Sequence, residues 1–187
     1  MIPNDPILTV DPWDDVCTTL STQLMSLVPT LKYAPQGWPD PKWFEDTGVN
    51  FPSVFFVKVS EKGTNTTGRA KVFKTVTNSD GTGAVYFETK KMKYLLQLSV
   101  FTTCPQQRLD IGWAIKQYLI NQIQLPINAV NTARFDFKGG DRILEGRDNF
   151  YRRDITFEVI TRVLDGVQGY KVTSITPTYD ISPTTTT

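Results

Sequence analysis

The sequence predicts an α+β fold: a mainly antiparallel sheet flanked by two main helices, with a projecting β-hairpin and extended termini. Three observations carry that expectation. Over residues 94–119 a period-two alternation passes directly into helical spacing, so a strand runs straight into a helix. Residues 153–163 hold the cleanest alternation in the chain, the mark of a half-buried antiparallel strand. Near the N-terminus an apolar stripe of helical period follows Asp11 and Pro12.

In chain order, residues 1–10 read as an extended, proline-punctuated arm. Asp11 is placed to cap a helix and Pro12 to take its first position. Trp13, Val16, Cys17, Leu20, Leu24, Leu27 and Val28 then share one face, and Pro29 ends the helix. Asp14 and Asp15 sit where the helix dipole favours anions. Residues 30–52 carry Pro35, Pro39, Pro41 and Pro52 around Trp38, Trp43 and Phe44. Three large rings are not left in water together, so this irregular segment is anchored by them, on its own domain or on a docking partner.

Residues 54–59 form a short apolar strand and 61–68 a polar loop. Residues 69–76 alternate again, Asp80-Gly81 marks a turn, and 84–88 return. Together they make a hairpin insertion at about residues 61–92. In the next strand Met92, Tyr94, Leu96, Leu98 and Val100 share one face, and Lys93, Leu95, Gln97, Ser99 and Phe101 the other. Thr102 and Thr103 offer hydroxyls to cap the following helix, and Pro105 suits its first turn. Ile111, Ile115, Tyr118 and Leu119 recur at helical spacing beside Leu109 and Trp113.

After Leu125-Pro126, residues 132–137 make a short strand, while 138–141 and 146–149 mark loops. In the late strand Ile155, Phe157 and Val159 are expected in the core with Leu96 and Leu98, and Asp154, Thr156 and Glu158 on a wet face. Arg152-Arg153 reads as a solvated edge or interface pair. Residues 170–175 add an edge strand. The threonine-rich end is expected to be disordered or to order only on a partner. The organisation is an arm (1–10), one domain (11–176) and a flexible tail (177–187).

Composition excludes several function classes. The chain of 187 residues is 40% hydrophobic, enough for one real core. It has no histidine, the commonest general base and metal ligand. Cys17 and Cys104 are too few and too far apart for a thiolate zinc site, and both fall on helical positions, which reads as buried free thiols with a disulfide as the alternative. There is no phosphate-binding glycine loop after a strand and no nucleophile elbow. Gly139-Gly140 and Gly146 lack a following helix and read as surface loop. The expectation is a protein that is not an enzyme and has no cofactor or metal. Residues 1–6 lack the basic start of a secretory signal, and no apolar run reaches the ~20 residues of a membrane span. A soluble chain, intracellular when made, is expected.

Charge is uneven. Residues 1–50 carry seven acidic and two basic side chains, and residues 51–110 four acidic and nine basic. An acidic N-terminal third and a basic middle third can steer head-to-tail association of copies. Arg69, Lys71, Lys74, Lys90, Lys91 and Lys93 cluster with Phe73, Tyr86, Phe87 and Tyr94 between them, a pattern shared with nucleic-acid surfaces. A net charge of +1 argues against a dedicated nucleic-acid binder and leaves room for passing DNA without sequence specificity.

Three stretches carry a family resemblance: 97–102 running into 106–110 and its helix, the late strand 149–159, and the N-terminal helix with the Pro/Trp segment to Pro52. In this order they resemble the tail terminator, or neck terminator, proteins of tailed bacteriophages. The resemblance implies a structural virion protein of the neck, found in host cytoplasm during assembly. It implies a homo-oligomeric ring, typically a hexamer, that terminates the tail tube. Its implied partners are the tail tube protein and the head connector or head-completion protein, with no membrane. The candidate contacts between subunits or with partners are then Asp14, Asp15, Trp38, Trp43, Phe44, Arg69, Lys71, Lys74, Lys90, Lys91 and Lys93. The hairpin cations are expected to meet the acidic start of the first helix of the adjacent copy. Other neck, collar or baseplate roles, and a nucleic-acid-binding α+β module, are the alternatives.

Overall fold

The first helix, α1 (Pro12–Leu27), starts where its sequence dictates. The Asp11 carboxylate accepts the Trp13 N–H at 2.9 Å, Pro12 opens the helix, and Val28 closes it. The computed structural model describes residues 6–7, 11–45, 50–65, 71–77, 82–145 and 150–170. Arg69, Asp46, the Asp80-Gly81 turn, the 146–149 loop, the expected strand beyond Tyr170 and the 177–187 tail lie outside the described residues.

The remaining elements are β1 (Pro6–Ile7), a short 3-10 helix (Pro41–Glu45), β2 (Ser53–Asn65), β3 (Lys71–Thr77), β4 (Thr82–Thr102), α2 (Pro105–Asn121), β5 (Leu125–Pro126), β6 (Thr132–Glu145) and β7 (Tyr151–Tyr170). They form an α+β fold around one sheet of order β2-β4-β7-β6-β5, in which β3 also pairs β4 and β1 also pairs β7. Every pairing between these described strands is antiparallel.

The spine is the β4–β7 ribbon, paired from Thr82↔Tyr170 to Thr102↔Tyr151. At about 3.4 Å per residue, the 21 residues of β4 extend about 70 Å. β2 and β3 lie end to end on the other edge of β4, from Ser53↔Phe101 through Asn65↔Lys90 and Lys71↔Glu88 to Thr77↔Gly83. The expected hairpin strands are β3 and the start of β4. They form the far half of one long ribbon, three strands wide because β7 accompanies them.

Four strands run further than their alternation suggests; β7 runs on to Tyr170, and in the other three the alternation breaks at a bulge. β2 shifts register between Lys58 and Ser60, β4 between Glu88 and Lys90, and β6 between Phe137 and Gly139. A bulge inserts one residue and resets the period-two phase, so the pattern breaks while the strand continues. The expected loop at 61–68 is strand through Asn65, and that at 138–141 lies within β6. Gly139 serves the β6 bulge with a φ of 84°, a conformation that glycine adopts without steric cost.

Both helices cover one face of the sheet. Trp13, Val16, Leu20 and Leu24 of α1 and Ile111, Ile115 and Leu119 of α2 enclose Leu96, Leu98, Ile155, Phe157 and Val159. Tyr118 packs at the margin and donates its hydroxyl to Gln23 at 2.6 Å, tying α2 to α1. The cap of α2 differs from expectation. Thr102 donates its hydroxyl to the Cys104 carbonyl at 2.8 Å, and Cys104 takes the cap position without a side-chain bond. Arg153 is a second correction. Only 6% exposed, it lies under α2 and donates to the Leu109 carbonyl at 2.9 Å. Gly112 leaves room for it, since a Cβ there would meet Arg153 Cδ at 2.6 Å.

The two cysteines part company. Cys17 is buried in α1, and Cys104 is exposed rather than buried. Burial first, then the nearby Asp14 carboxylate, pushes the Cys17 thiol from 9.0 up to about 12. This contribution to stability is full below pH 9.0 and fades as pH rises toward about 12. At about pH 8 an aromatic disulfide reagent is expected to modify Cys104 alone in the folded protein and both thiols after unfolding. Equal rates in the folded state would mean that α1 does not seal Cys17.

Candidate functional site

The sheet face away from the helices is closed at one end and open along the rest. At the closed end Phe51, Phe55 and Phe101 are buried, with Trp43, Phe44 and Phe150 packed on them. The Trp43 ring lies 4.8 Å from Phe51 and 4.9 Å from Phe55, and Phe44 stacks on Phe150 at 4.7 Å. Trp43 and Phe44 thus anchor their own domain, the first of the two roles open to them. Phe101, assigned by alternation to the same face as Lys93 and Gln97, is 2% exposed beneath them.

Trp38 stands apart, half exposed, with the Arg152 guanidinium 4.6 Å from its ring centre. Arg152 grips Asp154 with two hydrogen bonds, at 2.7 and 2.8 Å. Ser99 donates to the same carboxylate at 2.7 Å. Asp154, expected on a wet face, is 8% exposed within this network. Among the aromatic residues expected at a contact, Trp38 is the one left exposed.

The expected cluster of cations is divided by the sheet. Lys90 lies on the helix-bearing side, where it shares a groove of about 300 Å³ with Asp11, Glu61 and Tyr94. It crosses Gly63 so closely that a Cβ there would collide with Lys90 Cε. In the same region Lys58 sits 5.4 Å from the ring centres of both Trp13 and Tyr94. Its hydrogen bond to Glu61 raises the Lys58 pKa. Burial pushes the Tyr94 hydroxyl well above its ordinary value, with Asp11 accepting its proton at 3.2 Å. Asp15 accepts a hydrogen bond from Asn128 at 2.6 Å, while Asp14 is exposed. On β3, Lys71 is exposed and Lys74 donates to the Ala129 carbonyl at 2.9 Å.

Lys91 and Lys93 take the opposite, open side, where three cations join them that sequence proximity does not reveal. Lys62 is directly opposite Lys93 across β2–β4, and Arg162 is directly opposite Lys91 across β4–β7. Arg134 is opposite Ile160, itself paired with Lys93. Two adjacent rows of the sheet therefore hold Lys62, Lys91, Lys93, Arg134 and Arg162 and no acidic residue. Carboxylates flank this belt: Glu158 lies 3.5 Å from Lys93, Asp136 2.6 Å from Arg134, and Glu88 3.0 Å from Arg162. The hydrogen bond from Lys138 lowers the Glu158 pKa, and the one to Asp136 raises that of Arg134. Lys62 and Lys91 have no carboxylate partner among the described residues. Like charges directly opposite each other in a sheet disfavour the pairing, so the belt is not there to hold the fold together.

The chemistry of this surface is one that attracts anions. Among the described residues, no group of three His, Cys, Asp or Glu side chains converges as a metal site would require. No described helix is long and apolar enough to cross a membrane. No protein-family model matches the chain, and no curated protein does.

Proposed function

We propose that this chain is a structural component of a tailed-bacteriophage neck, a ring subunit that terminates the tail tube and joins it to the head connector. The order of elements that carries the family resemblance supports the reading. The observation that bears most weight is the placement of charge. The start of α1, with Asp11, Asp14 and Asp15, lies on one side of the sheet and the five-cation belt on the other. Opposite charges on opposite sides suit heterologous, head-to-tail contact, and such contacts close into rings when the rotation permits. The belt, which includes Lys91 and Lys93, replaces the whole Arg69–Lys93 hairpin region as the proposed partner of the neighbouring copy's α1.

Native mass spectrometry over a concentration series tests this directly, with a closed oligomer, a hexamer foremost, as the expected result. Asp14→Lys with Asp15→Lys is expected to weaken assembly, more so at low salt. Lys62→Glu with Lys93→Glu on that background is expected to restore it. Assembly indifferent to both pairs would remove the electrostatic basis of the ring.

Nonspecific nucleic-acid binding is the second reading, and the belt is the observation that favours it. The belt presents no exposed aromatic ring among its described residues, so contact would be with the phosphate backbone rather than with stacked bases. Duplex DNA held at low salt and lost steeply as salt rises, by a chain that stays monomeric, would favour this reading over the ring.

A further inference from the structure

The belt has a pocket of its own at one end. It measures about 80 Å³ and is lined by Lys91, Gln124, Thr132, Arg134, Ile160 and Arg162. The lining offers an ammonium, two guanidinium groups, an amide and a hydroxyl, and it includes no carboxylate. We infer that this pocket binds a single phosphate-type oxyanion.

Strand register brings the cations together. β4 and β7 place Lys91 and Arg162 face to face, an arrangement that costs stability when nothing lies between them. β6 brings Arg134 alongside through its pairing with Ile160, and Ile160 also lines the pocket. Each arginine is braced from outside. Arg162 Nε holds Glu88 at 3.0 Å, and its guanidinium lies 4.9 Å from the Phe73 ring centre. Arg134 Nη2 holds Asp136 at 2.6 Å. Each guanidinium carries further N–H donors, so bracing leaves donors for a ligand while fixing their direction. Lys91 is exposed and supplies a cation with no carboxylate partner among the described residues.

Donors arriving from three strands and the segment before β5 suit a tetrahedral anion with acceptors on every side. The pocket is too small for a nucleotide and admits one oxyanion group. The source is either the free anion or a phosphodiester of a nucleic acid, whose neighbouring phosphates would lie along the belt toward Lys93 and Lys62. The inference does not depend on ring formation, because its readout is anion affinity in the protein at whatever oligomeric state it adopts.

The test is titration calorimetry with inorganic phosphate at low ionic strength, together with thermal midpoints in phosphate and in chloride of equal ionic strength. Phosphate is expected to bind and to raise the midpoint, as any ligand of the folded state does. Lys91→Gln and Arg134→Gln are each expected to weaken phosphate roughly 10- to 100-fold, the loss of one charge-assisted hydrogen bond. Lys32→Gln, exposed in the segment after α1, is expected to leave it unchanged, and circular dichroism confirms that each variant is folded. A short DNA duplex is then added. If it displaces phosphate from the native chain, nucleic acid is the source; if it does not, the free anion is. Phosphate that acts no differently from chloride, or that binds both pocket variants as tightly as the native chain, overturns the inference.

Discussion

Phe157→Ala is expected to destabilise the fold by about 3–5 kcal/mol, the usual cost of truncating a buried phenylalanine. Phe157 is 0% exposed at the centre of the helix-covered face. It pairs with Leu96 on β4 and with Phe137 on β6, so it is flanked on both sides within the sheet. Its ring meets Phe137 edge-on at 5.8 Å and Phe135 at 6.4 Å. Strands on either side and helices above limit collapse into the vacated space, which puts the cost of the cavity on top of the lost transfer energy. Urea unfolding should show a lower midpoint with an unchanged slope. A midpoint equal to that of the native chain would place this face outside the core.

Phe101→Ala is expected to cost a similar amount, about 3–5 kcal/mol, on the opposite face of the same sheet. Phe101 is 2% exposed and touches the rings of Phe44 at 5.5 Å, Phe55 at 5.8 Å and Phe150 at 6.0 Å. Edge-on and tilted ring contacts of this kind add to the area buried. Trp43 lies 6.2 Å away, so it reports the loss directly. Its fluorescence should shift to the red as the cluster loosens and water reaches the indole. If stability and emission both stay unchanged, the aromatic cluster is a surface ornament rather than a second core, and Trp43 and Phe44 become docking groups again.

The elements that local chemistry governs are legible in the residues. α1 begins at its capping aspartate and first-turn proline and buries its apolar stripe. The buried face of β4 from Met92 to Val100 follows its alternation, as does that of β7 from Ile155 to Val159. The full lengths of β2, β4 and β6 are hidden for one reason. Val59, Thr89 and Lys138 are the extra residues at three bulges, and each inverts the in–out phase of the residues after it. Alternation measured on one strand cannot tell a bulge from an end; only the partner strand can.

The candidate site is legible in part. Lys91 and Lys93 stand out as neighbours in the chain, but Lys62, Arg134 and Arg162 do not, because they join the belt only through strand pairing. Lys90, adjacent to Lys91 in sequence, points to the other side of the sheet, as successive residues of a strand must. Sequence by itself determined the α+β class, the helix-covered core and the separation of acidic and basic segments, all of which derive from local periodicity and composition. Tertiary structure alone decided the register, hence which cations stand face to face, which aromatic residues close the second face and where an anion can lodge. The physical reason is that a strand presents its side chains by a local rule, while its neighbours are chosen by hydrogen bonds to segments far away in the chain.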